Sequence, residues 1–376
     1  MSPATRAPST LDPRTLPDVA EVEVETTAQI ARRLAGSPML LEARDLEVTY
    51  VTEAGEVPAC AGIDLELRRG EILGIAGESA SGKSTLLAAL SRLQRPPAVT
   101  SAGQVLFHRE DGEVVDLTAL GEEQLRRYRW DSLSIVMQSA MASLNPVMRL
   151  DTQFIDVIME HDRSMSKAAA RTRAGDLLEM VGIPSSRLRS YSYQLSGGMQ
   201  QRALIALSLA SNPEVVFMDE PTTAVDVVMQ RQILTQILQL QSALGFAIVF
   251  VTHDLSLLLE ISDRIAIMYA GRIVEIGMPE QLYTAPRHPY TRGLRAAFPP
   301  LSEPVRRLEG IPGTPPDLLD LPPGCSFAPR CPLAVARCHE ERPALRSIPG
   351  GVAACHLVGE DGAPAAAPTT GTEESR

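Results

Sequence analysis

The sequence has no apolar run approaching the ~20 residues a helix needs to cross a bilayer. A helical membrane span is therefore excluded, and any membrane role must be borrowed from partners. Basic residues are in the minority: 35 Lys and Arg stand against 46 Asp and Glu, a net charge of −11. General nucleic-acid binding needs a basic footprint, so no nucleic-acid partner is expected. The N-terminus lacks the apolar core of a signal peptide, so a cytosolic chain is expected. No internal repeat is evident. Cysteine is scarce, with five in 376 residues, yet four of them fall between positions 325 and 355. The length suggests one large domain with an appendage.

What is present begins with Gly77-Glu78-Ser79-Ala80-Ser81-Gly82-Lys83-Ser84-Thr85. The apolar run Ile72–Ala76 reads as a buried strand feeding this Gly-rich turn. Lys83–Leu90 reads as a helix, stopped by Pro96-Pro97. A phosphate-binding loop requires that strand–loop–helix context. Backbone N–H groups of such a loop form an anion cradle at the positive end of the helix dipole. Lys83 is placed to reach the β- and γ-phosphates of ATP, and the Ser84 hydroxyl to ligate Mg²⁺.

Three further apolar segments end in polar residues. Glu214–Asp219 reads as a buried strand ending in Asp219 and Glu220, two carboxylates that are costly there unless they meet a cation or a reacting water. Asp219 is the candidate Mg²⁺ holder, and Glu220 the candidate base for the attacking water. Ala247–Thr252 repeats the pattern and ends at His253, a candidate to contact the γ-phosphate. Leu133–Met137 ends at Gln138, a candidate to sense Mg²⁺ or the water. Such residues gather where parallel α/β sheets bind ligands, at the carboxyl edge. Leu195-Ser196-Gly197-Gly198-Met199-Gln200-Gln201-Arg202 precedes a helix expected over Met199–Ala210. Its free N–H groups offer another anion site.

In their order, these pieces with Ala224-Val225-Asp226 resemble the ATP-binding subunit of an ABC transporter, over about residues 40–358. The resemblance implies an α/β fold: a P-loop NTPase (RecA-like) core, an antiparallel β edge, a helical subdomain carrying the signature, and a small Cys-containing C-terminal extension. It implies that Ser196, Gly197, Gly198 and Gln200 serve the nucleotide bound to a second cassette, and that Asp226 lies in a loop crossing the dimer interface. It implies that Tyr50 stacks on adenine. The residues alone also allow Tyr50, alternating with Leu46 and Val48, to be one face of an edge strand. Departures are mild. Ala80 stands where Gly is usual, so a Cβ must fit the cradle. Ser139-Ala140-Met141 follows Gln138 in place of Asp-Pro, and Val225 replaces Leu.

The expected organisation is a disordered arm over 1–38, with a short helix near Ala28–Leu34, and a cassette over 39–284. Within the cassette the helical subdomain covers about 139–211, and it includes a helix over Ala168–Val181. A C-terminal region covers 285–358, and a disordered tail covers 359–376. Cys325, Cys331, Cys338 and Cys355 have the spacing C-x5-C-x6-C-x16-C in a Pro-rich segment. Clustered thiols in a cytosolic chain argue against structural disulfides and for a metal staple. The spacing is looser than zinc pairs and leans to iron–sulfur, with zinc and free thiols as alternatives. Cys60 reads as a small buried filler.

His288–Arg292 and Pro322–Cys331 resemble the C-terminal region of oligopeptide/dipeptide importers, which implies a [4Fe–4S] cluster on the four cysteines. It further implies a distinct second ATPase, two membrane permease subunits, an extracytoplasmic solute-binding protein acting indirectly, and a place on the cytoplasmic face of the membrane. Oligosaccharide and nickel import are the alternatives. A soluble ABC protein of DNA repair or translation would carry a coiled-coil insertion or two cassettes, and the sequence has neither.

Overall fold

The computed structural model describes residues 25–137, 143–223, 225–297 and 310–359. In chain order, helix α1 (Thr27–Gly36) precedes strands β1 (Met39–Thr52), β2 (Gly55–Arg68) and β3 (Ile72–Ala76). Then come α2 (Lys83–Leu90), β4 (Ala98–His108), β5 (Val114–Asp116), α3 (Glu122–Leu125) and β6 (Leu133–Val136). A helical stretch follows: α4 (Leu150–His161), α5 (Lys167–Met180) and α6 (Gly197–Ser208). Strand β7 (Val215–Asp219), α7 (Val227–Leu244), β8 (Ala247–Val251) and α8 (Leu255–Ile261) return to alternation. The rest is β9 (Arg264–Tyr269), β10 (Arg272–Gly277), α9 (Pro279–Thr284), α10 (Pro289–Ala297), α11 (Ala336–Glu340), β11 (Arg346–Ile348) and β12 (Gly351–Ala353).

The chain forms two compact units interleaved along the sequence. One gathers the segment ending at Leu41, Glu66–Ile72 and Leu106–Phe250; the other gathers Glu42–Leu65, Leu73–Val105 and Val251 onward. In the first unit β6 and β7 run parallel, with Leu133 opposite Val215 and Val136 opposite Met218. Every residue of β7 and β8 is buried, the mark of a parallel sheet covered on both faces. The helical stretch is tied by side chains. Arg171 of α5 pairs with Asp151 of α4 at 3.1 Å, and Arg202 of α6 donates to the Val181 carbonyl at 3.1 Å. The buried amide of Gln153 braces the loop at Asn145, accepting from its N–H at 2.9 Å.

In the second unit β3 runs parallel to β9, with Ala76 opposite Ile267. Antiparallel additions follow in the order β9, β10, β12, β11. Strand β12 thus fastens the C-terminal segment onto the same run of strands as β3. A separate sheet has the order β2-β1-β4. Strand β1 is therefore interior to its sheet, which corrects the edge-strand reading of Tyr50.

One stretch of the expected N-terminal arm is structured. Thr26 and Gln29 form a reciprocal capping box at the start of α1, and Arg33 pairs with Glu25 at 2.8 Å. This is the short helix expected near Ala28–Leu34, longer by one residue at its start and two at its end. The rest of the arm and nearly all of the expected tail lie outside the described residues.

Candidate functional site

The phosphate loop leaves β3, all five of whose residues are buried. It then needs backbone that L-residues resist: φ is 158° at Gly77, 62° at Ala80 and 99° at Gly82. A Cβ on Gly77 would stand 2.3 Å from the Met268 carbonyl oxygen, and one on Gly82 would stand 2.2 Å from that of Ala59. Glycine is required at both. Ala80 takes the left-handed form with its Cβ in place, at a cost of roughly 1–2 kcal/mol. Gly82 is the N-cap of α2, so Lys83, Ser84 and Thr85 form its first turn. The Lys83 ammonium is buried and donates to the carbonyls of Gly77 and Glu78 at 2.9 and 2.8 Å. Ser84 is exposed on the same turn. The Tyr50 hydroxyl lies 3.1 Å from Thr85 Oγ1, which sets the half-buried ring beside the loop's end.

The C-terminal segment grips this loop. Arg330, 8% exposed, forms a two-pronged ion pair with Glu78: Nη1 to Oε2 at 2.7 Å and Nη2 to Oε1 at 3.0 Å. The pairing drives the guanidinium pKa upward. The same Nη1 donates to the Tyr269 hydroxyl at 3.2 Å. The Glu78 N–H donates to the Tyr290 hydroxyl at 2.8 Å. Tyr269, Tyr290 and Phe327 pack as an aromatic triad, with ring centroids 4.6 to 5.4 Å apart. Sequence reasoning missed these partners. The one signal was Glu78 itself, since a carboxylate inside an anion cradle asks for a cation.

At the end of β7, Asp219 is buried and Glu220 half-buried. Glu220 adopts φ 45°, a left-handed conformation that a glutamate accepts only under constraint. Thr223 supplies part of it: its Oγ1 donates to Glu220 Oε2 at 3.0 Å and its N–H to the Glu220 carbonyl at 3.3 Å. Thr252 N–H donates to the Ile75 carbonyl at 3.3 Å, so the exposed His253 emerges beside the strand that feeds the loop. Gln138 and Ala224 lie outside the described residues.

Ser196 is the N-cap of α6; its Oγ accepts from Met199 N–H at 3.3 Å. Gly197 and Gly198 open the helix, and the cap leaves Ser196 exposed. The Gln200 side chain donates back to the carbonyls of Ser192 and Leu195 at 2.9 and 3.2 Å, so it braces the loop. Asp226 caps α7, accepting from Val228 and Met229 at 3.0 and 2.9 Å.

The cysteines form no disulfide. Cys325, Cys331, Cys338 and Cys355 line one cavity of about 10 Å³, together with His288 and Phe327. Burial pushes the thiols of Cys325 and Cys331 up, and that of Cys355 to about 11. Among the described residues, no three His, Cys, Asp or Glu stand together in a metal-holding arrangement. Thiols are soft-metal ligands by chemistry, but these four are not arranged to hold one. The cavity as closed has room for about one water-sized occupant. Cys60 is fully buried with its thiol pushed to about 12 by desolvation, in keeping with a filler role.

Residues 60–223 match the family model described as ABC transporter. Residues 274–338 match that of the oligopeptide/dipeptide transporter, C-terminal region. The oligopeptide transport ATP-binding protein OppD of Bacillus subtilis is 43% identical over 313 residues, covering 82% of this chain and 86% of that one. The chain belongs to the ABC transporter ATP-binding proteins. The dipeptide transport ATP-binding protein DppD of Lactococcus lactis is 42% identical over 306 residues, 81% of this chain and 86% of that one. A solved ATP-binding cassette, dimeric in a post-hydrolysis state with ADP and Pi, superposes with a TM-score of 0.57. It is 26% identical and covers 64% of this chain and 99% of the other. This ABC protein is an ATPase of P-loop NTPase fold, using ATP and Mg²⁺. No helix among its described residues is long and apolar enough to cross a membrane.

Proposed function

We propose that this chain powers the import of oligopeptides or dipeptides through an ABC transporter. The observation that carries the reading is the union, in one chain, of the cassette match and the oligopeptide/dipeptide C-terminal match. Relatives at 42–43% identity bear oligopeptide and dipeptide transport names. The chain works against two membrane permease subunits on the cytoplasmic face, beside a distinct second cassette, with a solute-binding protein delivering cargo from outside.

In this reading the phosphate loop from Gly77 to Thr85 holds the triphosphate through its backbone N–H groups and the α2 dipole. Lys83 neutralises phosphate charge once its ammonium exchanges the Gly77 and Glu78 carbonyls for phosphate oxygens. Tyr50 presents its ring to adenine. On the order of the motifs, Ser84, Asp219 and Gln138 are each proposed as Mg²⁺ ligands or sensors, oxygen donors of the kind a hard cation takes. Bound Mg²⁺ would neutralise charge developing on the β- and γ-phosphates. Glu220, held by Thr223, draws the proton of the attacking water, and His253 orients the γ-phosphate. The N-terminus of α6 at Ser196, Gly197 and Gly198, with Gln200 bracing its approach, serves the nucleotide of the partner cassette. Asp226 shapes the loop that meets that cassette.

The four cysteines are proposed as a metal–thiolate site. Spacing and family resemblance favour a [4Fe–4S] cluster as occupant, but the cavity of about 10 Å³ that the thiols line does not fit one. A loaded protein prepared anaerobically would be brown, and Cys331→Ser would remove the colour. A colourless native protein with stoichiometric zinc overturns the cluster.

The import reading is tested by uptake of labelled oligopeptides, oligosaccharides and nickel in cells carrying the native chain or Glu220→Gln. Loss of peptide uptake alone is expected. Loss of sugar or nickel uptake alone moves the cargo, and no loss at all removes the transport role.

A further inference from the structure

One peptide plane of the phosphate loop is held from both sides. The carbonyl of Gly77 accepts from the Lys83 ammonium at 2.9 Å. The N–H of the same peptide unit, that of Glu78, donates to the Tyr290 hydroxyl at 2.8 Å. Lys83 and Tyr290 therefore fix the plane together, and the Tyr290 bond holds it alone once Lys83 turns to phosphate. The next group along is the Glu78 carboxylate. A free negative charge there repels a polyphosphate, and Arg330 cancels it with a bidentate pair. Arg330 is itself pinned by Tyr269 and the Pro312 carbonyl, 3.2 and 2.8 Å away. Tyr290 is fully buried and packed in the aromatic triad, so its hydroxyl has little freedom.

We propose that Arg330 and Tyr290 of the C-terminal extension are positioning residues for ATP, setting nucleotide affinity by neutralising Glu78 and clamping the Gly77–Glu78 peptide. Neither residue touches the reacting atoms. The extension is thus part of the nucleotide site rather than an appendage to it. The inference rests on ATP binding at this loop. Coupling between sites is commonly worth 5- to 150-fold in affinity, and this one acts across a single ion pair.

The test uses the full-length chain, a fluorescent ATP analogue and steady-state ATPase rates. Arg330→Gln should weaken analogue binding and raise the KM for ATP about tenfold, with kcat held within about twofold. Arg330→Lys should recover part of the loss. Adding Glu78→Gln to Arg330→Gln should restore affinity, because the unpaired charge is gone. A purely structural staple would show no such rescue. Tyr290→Phe keeps the ring and removes the acceptor; a severalfold rise in KM at unchanged kcat is expected. If Arg330→Gln does not fold, the Tyr290→Phe result decides. The proposal is overturned if KM stays within twofold in these variants, if kcat alone falls, or if Glu78→Gln fails to rescue. Binding by the native chain is measured in the same titration; its absence would count against the nucleotide site itself.

Discussion

Thr223 donates its hydroxyl to the Glu220 carboxylate at 3.0 Å, and Glu220 carries a left-handed backbone. A base is useful only if it points one way. The hydrogen bond and the constrained φ together restrict how this carboxylate can turn. Glu220→Gln keeps the shape and the Thr223 contact but cannot take a proton. It should bind ATP with near-native affinity while phosphate release falls by at least about 100-fold. Native turnover by the variant would remove Glu220 from the role of base.

Lys83→Ala removes a buried ammonium and strips the Gly77 and Glu78 carbonyls of a donor. ATP affinity should drop by tenfold or more, measured by titration with a fluorescent analogue. Unchanged affinity would refute the cradle.

Ala80 sits at φ 62° inside the loop. Ala80→Gly relieves that strain but adds freedom to the unfolded chain, two effects of opposite sign. The net should be a gain of about 0.5–1 kcal/mol, seen as a Tm higher by about 1 °C in a chain of this length. ATPase activity should not fall, since no reacting group changes. A lower Tm would show that the Ala80 methyl makes contacts worth more than the strain.

Asp226→Ala deletes the N-cap of the 18-residue helix α7. The expected cost is about 1 kcal/mol, read from urea unfolding. Asp226→Asn should restore most of it, because the amide oxygen can still accept from Val228 and Met229. If ATPase activity falls in the Asn variant while stability holds, the charge of Asp226 serves the cassette interface as well.

The pieces that follow local rules were legible in advance. Strand β3 and helix α2 have the expected ends, Ile72–Ala76 and Lys83–Leu90, because a buried apolar run and a glycine turn are short-range signals; the helix in fact stops at Ser91 and the left-handed Arg92, before the prolines are reached. Helix α5 and strands β7 and β8 follow for the same reason. Tyr50 shows where the pattern fails: alternation reveals which face a residue occupies, but not whether its strand has one neighbour or two. The helix at Thr27–Gly36 extends past the residues first read as helical, since a capping box outweighs a Pro- and Ser-rich context. The grip of Arg330 on Glu78 joins positions 252 apart, and no periodicity carries such a pairing. Likewise, nothing in the sequence marks the backbone of Glu220 as left-handed.

The missing Cβ atoms of Gly77 and Gly82 face carbonyl oxygens of Met268 and Ala59, which are fixed points of two neighbouring strands. The loop is therefore cast against its own protein before any nucleotide arrives. Ordering a flexible loop on binding would tax affinity at roughly 1–2 kcal/mol per residue. A precast loop avoids that loss, so little of the energy of phosphate contact is consumed in shaping the site. The surplus remains available to whatever step nucleotide binding drives.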